Sequence, residues 1–238
     1  MESRNYILRS LSPAEEALLR PHLTPVPLPH KMTFFRADEP ITQAWFIEQG
    51  CASLITVLPD GGAVEVGTIG NEGLVGTSVL LESDRMPQQC DMEVPGNGWR
   101  ISAQALTAAL RQGDTLRAKL LRFAQAHFNQ VAQSVACNRL HGIEERCARW
   151  LLMTRDRTGD DFPLTHEYLA IMLGVRRAGV TVTLNDLQNA GMIRHTRGHI
   201  TITDPVGLEE VACDCYRIVR DEFRRLLPQG DAYPSAPP

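Results

Sequence analysis

The feature that most constrains this chain is a helical stripe between Asp114 and Asn138. Leu116, Leu120, Phe123, His127, Val131, Val135 and Asn138 are spaced by three or four residues. That spacing is one face of an α-helix, about six turns and roughly 35–40 Å long at 1.5 Å per residue. One small domain cannot cover such a helix. Either it packs only on its own chain, or it forms a two-stranded seam with the same helix of a second chain. The second reading assigns Leu116, Leu120, Phe123, His127, Val131 and Val135 to a dimer seam.

The pattern differs on the two sides of this helix. Before it, short apolar runs alternate with turn residues: residues 32–35, 44–50, 52–58, 63–69 and 74–80. Pro59-Asp60-Gly61-Gly62 reads as a hairpin turn between two of them. Closely spaced short strands predict a small barrel or sandwich. Residues 12–20 read as a short helix with Ser12 as N-cap and Pro13 in the first turn. Ser102 caps a further short helix before the long one. The tail, residues 226–238, is expected to be disordered, since its end, residues 231–238, is Pro-rich and lacks large aliphatics.

Charge divides the chain the same way. Residues 1–110 hold 7 basic and 13 acidic residues, residues 111–161 hold 9 and 6, and residues 162–203 hold 4 and 2. An acidic front half joined to a locally basic back half predicts two jobs. The overall charge of −4 excludes a uniformly basic, histone-like protein. No apolar run approaches the roughly 18–20 residues of a membrane helix. The start, residues 1–10, carries charges where a leader needs an apolar stretch, which predicts a cytoplasmic chain. In that reducing compartment the scattered Cys51, Cys90, Cys137, Cys147, Cys213 and Cys215 are expected to be free thiols.

Residues 140–203 carry the chemistry. A helix over 143–156 comes first. Thr165 then caps a short helix holding Leu169, Ala170 and Leu173, with Glu167 at its positive end and Gly174 ending it. A second helix runs from about Arg177 to Ala190, with Val180, Leu184 and Leu187 as its buried stripe and Gly191 after it. Two helices joined by a short Gly-containing turn form the helix-turn-helix pattern. Residues 194–203 follow as a hairpin turning at Arg197-Gly198. Arg194, His195, Arg197 and His199 occupy its tip and flanks, and no acidic residue stands between Asp186 and Asp204. Such a basic wing suits phosphates, which need cations or N–H donors and carry no sequence information.

The segment THEYLAIMLGVRRAGVTVTLNDLQNAGMIRHTRGHITITD (165–204) resembles the Crp/Fnr superfamily of bacterial transcription regulators. Residues 139–157 and 213–223 resemble one bacterial branch of it, and the likeness extends over about residues 10–220, including Gly50 after an aromatic strand. The resemblance implies an α+β protein. Its parts would be an N-terminal β-barrel or jelly-roll of cyclic-nucleotide-binding type over 1–110, a dimerisation helix over 111–140, and a winged helix-turn-helix over 141–225. The implied partners are double-stranded DNA, a second copy of the chain and RNA polymerase, with no membrane. The implied DNA contacts are Thr165, His166, Arg176, Arg177, Ala178, Thr181, Val182, Arg194, Arg197 and His199. Arg177 matches the family's guanine-reading arginine. Ala178 stands where the family has an acid and Val182 where it has a second arginine, so these two can touch only apolar groups such as thymine methyls. DNA binding is expected, with a different target sequence.

The family's cyclic-nucleotide site needs a Gly-Glu pair and, about ten residues on, an Arg-Ser/Thr-Ala segment. Here Glu72 and Gly73 precede Arg85, but Met86-Pro87 follows, and Pro87 removes an N–H donor. Glu72, Gly73 and Arg85 are therefore a weak effector site, with no cofactor and no cyclic nucleotide expected. The first cysteine, Cys51, lies too far along for an N-terminal iron–sulfur cluster. His22 and His30 are isolated, which speaks against haem. Cys213 and Cys215 form a C-x-C without a second ligand pair, so no metal is expected.

Enzyme motifs fail on spacing. Ala170 replaces the second histidine of an H-E-x-x-H begun at His166, and His141 with Glu144 and Glu145 lacks the second histidine of the inverted form. No enzyme activity is expected. The contrary class is a ligand-binding barrel whose helical end makes protein contacts instead of binding DNA.

Overall fold

The computed structural model describes residues 2–227. Of the expected disordered tail, Leu226 instead ends the last helix and Leu227 is buried, and residues 228–238 lie outside the described residues. The N-terminal part is one antiparallel sheet of six strands: β1 (Thr24–Leu28), β2 (Thr33–Phe35), β3 (Gln43–Val57), β4 (Ala63–Ile69), β5 (Leu74–Val75) and β6 (Gln89–Ser102). β3 and β6 form its spine, paired from Gln43 opposite Ser102 to Ile55 opposite Gln89.

The two apolar runs at 44–50 and 52–58 are one strand. Gly50 lets the chain continue, because at its φ of +101° a Cβ would lie 2.5 Å from the Val94 carbonyl oxygen. The register shifts around that point, so the strand bulges instead of ending. The run at 74–80 gives only a two-residue strand and then a 3-10 turn over Thr77–Leu81. Phe46, Ile47, Met92, Ile101 and Leu28 fill the sheet's core.

Three short helices complete this part: α1 (Tyr6–Arg9), α2 (Pro13–Leu19) and α3 (Ala103–Gln112). Ser12 caps α2 in a reciprocal box with Glu15, and the Ser102 hydroxyl accepts from the Ala105 N–H at 3.1 Å.

The long helix, α4 (Asp114–Leu140), corrects the expected seam. Leu116, Leu120, Phe123 and His127 are buried within their own chain. Phe123 sits on Gly73, where a Cβ would come within 1.9 Å of its ring. It also stacks on His127, with centroids 6.0 Å apart, and packs at 6.4 Å from Phe223. Gln130 donates to the Thr68 hydroxyl at 2.9 Å. The sheet domain and the C-terminal helix together cover this stripe, so a charge at Phe123 would break a core and not a seam. Val131 is half-buried, and Val135 is 67% exposed. The bare face of α4 is instead Leu121, Phe128 and Val135, spaced by seven, with half-buried Ala124 and Val131 between them.

The C-terminal part runs α5 (Ile143–Thr158), β7 (Asp161–Pro163), α6 (His166–Leu173), α7 (Arg177–Asn189), β8 (Ile193–Thr196), β9 (His199–Ile202), α8 (Pro205–Val211) and α9 (Cys215–Leu226). Leu169, Leu173, Val180, Leu184, Leu187, Ile193, Ile200 and Ile202 form its core with Leu151 and Phe162. The wing has three strands, ordered β7-β9-β8, where the sequence pattern shows two. No helix among the described residues is long and apolar enough to cross a membrane.

Candidate nucleic-acid interface

The two helices of the C-terminal motif are set by their ends. The Thr165 hydroxyl accepts from the Tyr168 N–H at 3.2 Å and starts α6. Gly174, at φ +60°, ends it in the left-handed conformation that glycine adopts most readily. α7 follows after two residues. Val180, Thr183, Leu184 and Leu187 bury one face of α7, and Gly179 sits 3.1 Å from Ile143 of α5 by its missing Cβ. The other face carries Arg177, Ala178, Val182 and Asn185 outward. Val182 is 60% exposed, an apolar side chain left in water unless something covers it.

Arg177 and Glu167 form an ion pair at 3.0 Å with both side chains mostly exposed. Such a pair is worth little in water, so it is readily exchanged for another partner. His166 Nδ1 lies 3.1 Å from the Thr181 hydroxyl, which itself donates to the Arg177 carbonyl. The candidate residues Thr165, His166, Arg177 and Thr181 therefore meet at the junction of α6 and α7. Arg176 is exposed at the entry of α7, which no side chain caps.

Beside this junction stands the wing. Arg194 and Arg197 are exposed and join no ion pair among the described residues. His199 is different: Asp161 of β7 lies 3.3 Å from it and also accepts from the Thr201 hydroxyl. The absence of acids in the linear segment 187–203 is thus partly offset by an aspartate arriving from another strand. The sequence pattern places His195 on the phosphate-facing wing and gives Gln188 no role. In the structure the His195 N–H donates to Gln188 Oε1 at 2.9 Å, and its ring lies 3.1 Å from Asn185 Oδ1 and 5.4 Å from the His166 ring. These interactions tie the wing to α7. Burial, and then His166 beside it, hold the His195 ring below its ordinary pKa.

The candidate effector residues do not converge. Glu72 is 1% exposed and accepts from Arg157 of α5 at 2.7 and 3.0 Å, and from the Gly70 N–H at 3.1 Å. Gly73 lies under Phe123. The Arg85 side chain is 58% exposed, near Asp84. Glu72 is a strut between the sheet and α5 and leaves no free carboxylate for a ligand.

Residues 145–211 match the model of a Crp-like helix-turn-helix domain, and residues 25–113 match that of a cyclic nucleotide-binding domain. The chain belongs to the Crp/Fnr family. This Crp/Fnr protein is 24% identical over 196 residues to the transcriptional regulator LdrP of Thermus thermophilus, covering 76% of this chain and 93% of that one. It is 22% identical over 188 residues to the global nitrogen regulator of Synechocystis, covering 75% and 84%. Its fold matches that of FixK2 from Bradyrhizobium japonicum with a TM-score of 0.69 at 15% identity, covering 80% of this chain and 98% of that one. The contrary reading, a barrel whose helical end only makes protein contacts, is set aside by the Crp-like domain match. This Crp/Fnr member is a DNA-binding transcription regulator, and its family is one of regulators and not of enzymes.

Proposed function

We propose that the chain binds an inverted-repeat operator as a homodimer, reads it with α7, and acts without control by cyclic AMP. The observation that carries this reading is the exposed face of α7 beside an exposed Arg194–Arg197 wing. Arg177 opens the helix, and Val182 follows one turn after Ala178, on a helix otherwise anchored by Val180, Leu184 and Leu187. An arginine there can hold the O6 and N7 atoms of guanine together, and a neighbouring valine can cover a thymine methyl. Arg194 and Arg197 anchor phosphates.

The bare Leu121–Phe128–Val135 face supports the dimer. Its seven-residue spacing, with Ala124 and Val131 between, is the a/d pattern of a two-stranded coil. The engaged Glu72 and solvent-facing Arg85 support independence from cyclic nucleotides. Contact with RNA polymerase rests on family membership alone. Mobility shift with genomic fragments at several salt concentrations tests the reading. A sequence-selective fragment whose affinity falls steeply with salt supports it; no selective fragment and no salt slope refutes it.

A further inference from the structure

The C-x-C pair of α9 does not stand alone. Cys137 lies in the last turn of α4, and His141 is the C-cap residue four positions on. Both face Cys213 and Cys215 at the start of α9. The four ligand atoms lie within 4.8 Å of one another. Cys137 Sγ is 3.5 Å from Cys213 Sγ, and Cys215 Sγ is 3.6 Å from His141 Nδ1. This corrects the expectation that Cys213 and Cys215 lack a second ligand pair: C-x3-H supplies it, some 70 residues earlier in the chain.

The spacing fits a metal and not a bond between sulfurs. A disulfide needs about 2.05 Å, and all six cysteines are free. Tetrahedral zinc, with bonds of about 2.3 Å to sulfur and 2.0–2.1 Å to nitrogen, sets its ligand atoms roughly 3.5–3.8 Å apart. The three thiols are buried, at 0%, 5% and 2% exposure. One amide and two guanidinium groups surround them. Gln133 donates an N–H to Cys215 Sγ at 3.1 Å. Arg149, itself buried, donates to the Ser134 hydroxyl one turn before Cys137, and Arg146 also acts on the cluster. Three thiolates and a dication leave one negative charge, which those guanidinium groups offset.

We propose that Cys137, His141, Cys213 and Cys215 form a closed tetrahedral site for a thiophilic divalent cation, zinc by its ligand class. Four protein ligands leave no open position, which makes the site structural. It pins the end of α4 to the start of α9, beside the His141–Gly142 joint from which α5 departs. One ion therefore sets how the helix-turn-helix stands relative to the long helix. The site does not depend on the operator reading.

The test is made on the full chain, purified reduced and without a metal-affinity tag. Elemental analysis should find one zinc per chain. After exchange, Co²⁺ should give a sulfur-to-cobalt charge-transfer band with the intensity of three thiolates. Cys213→Ser, Cys215→Ser and His141→Ala should each bring the metal to background, while Cys51→Ala keeps it. Circular dichroism reports whether each variant folds. For wild type, stripping with a strong chelator should release one zinc, and re-added Zn²⁺ should restore it. Folded wild type that takes up neither Zn²⁺ nor Co²⁺ overturns the proposal. So does zinc retained at full stoichiometry in folded Cys213→Ser, or a Cys137–Cys213 disulfide in metal-free protein that refuses Zn²⁺ after reduction.

Discussion

Replacing Phe128 by alanine separates the two faces of α4. Phe128 is 65% exposed in the single chain, with Leu121 at 37% and Val135 at 67% on either side. Fully burying a side chain of this size contributes about 1.5–3 kcal/mol. Two-thirds of that, from each of two protomers across a twofold axis, is roughly 2–4 kcal/mol per dimer. Phe128→Ala should therefore weaken the dimer dissociation constant by about 100-fold, at about 1.4 kcal/mol per tenfold change. Sedimentation equilibrium over a wide concentration range reads this directly. Phe123→Ala is the contrast. That ring is fully buried between Gly73, His127 and Phe223, so its loss should cost about 3–5 kcal/mol of fold stability in each protomer. A Phe128→Ala protein with an unchanged dissociation constant would refute the assignment of the seam. So would a Phe123→Ala protein that dissociates with no loss of thermal stability.

The other expectations concern DNA, ligand and pH. Arg177→Ala should cost about 1–3 kcal/mol on the cognate site and relax preference at one base pair per half-site; equal loss on cognate and scrambled duplexes would make it a phosphate anchor. Arg197→Ala should weaken both duplexes alike and lower the salt slope by about one unit per wing. Calorimetry with cyclic AMP and cyclic GMP should show no specific binding; a micromolar constant, about −8 kcal/mol, would contradict this. Glu65 is buried among Ser53, Glu93, Trp150, Arg149 and Arg157, and burial pushes its carboxyl from the ordinary 4.5 to about 7. The folded chain thus holds a proton that the unfolded chain releases, so stability falls as pH rises from about 4.5 to about 7. Glu65→Gln keeps an acceptor for the Trp150 N–H and should flatten that fall, by on the order of 3 kcal/mol at pH 8. Identical melting-temperature profiles for wild type and Glu65→Gln would contradict it.

The DNA-reading end is legible in the sequence because its boundaries are local. Thr165, Gly174, Gly191 and the apolar spacing of Val180, Leu184 and Leu187 each set an element through neighbours a few residues away. What escapes the sequence depends on distant partners. Three residues, Asp161–Pro163, carry no strand signal of their own and pair only because Ile200 lies opposite Phe162. Asp161 then reaches His199, an ion pair invisible along the chain. The stripe on α4 is plainly apolar, but periodicity does not say what covers it. Gly73 and Phe223, some 50 and 100 residues away, cover Phe123. The comparably apolar Leu121, Phe128 and Val135 stay bare. Likewise Glu72 resembles a ligand residue along the chain, and only the fold brings Arg157 onto it. Cys137 and His141 meet Cys213 and Cys215 only because α4 and α9 lie side by side.

Sequence-specific, two-fold recognition of DNA is tested most directly by footprinting the tightest-bound genomic fragment with hydroxyl radicals, alongside methylation protection of its guanines. Two symmetric protected half-sites are expected, centred about one helical turn or roughly 34 Å apart, with guanine protection abolished in Arg177→Ala. Uniform protection along the fragment, or a footprint on one half-site alone that Arg177→Ala leaves unchanged, would contradict a dimer that reads DNA through α7.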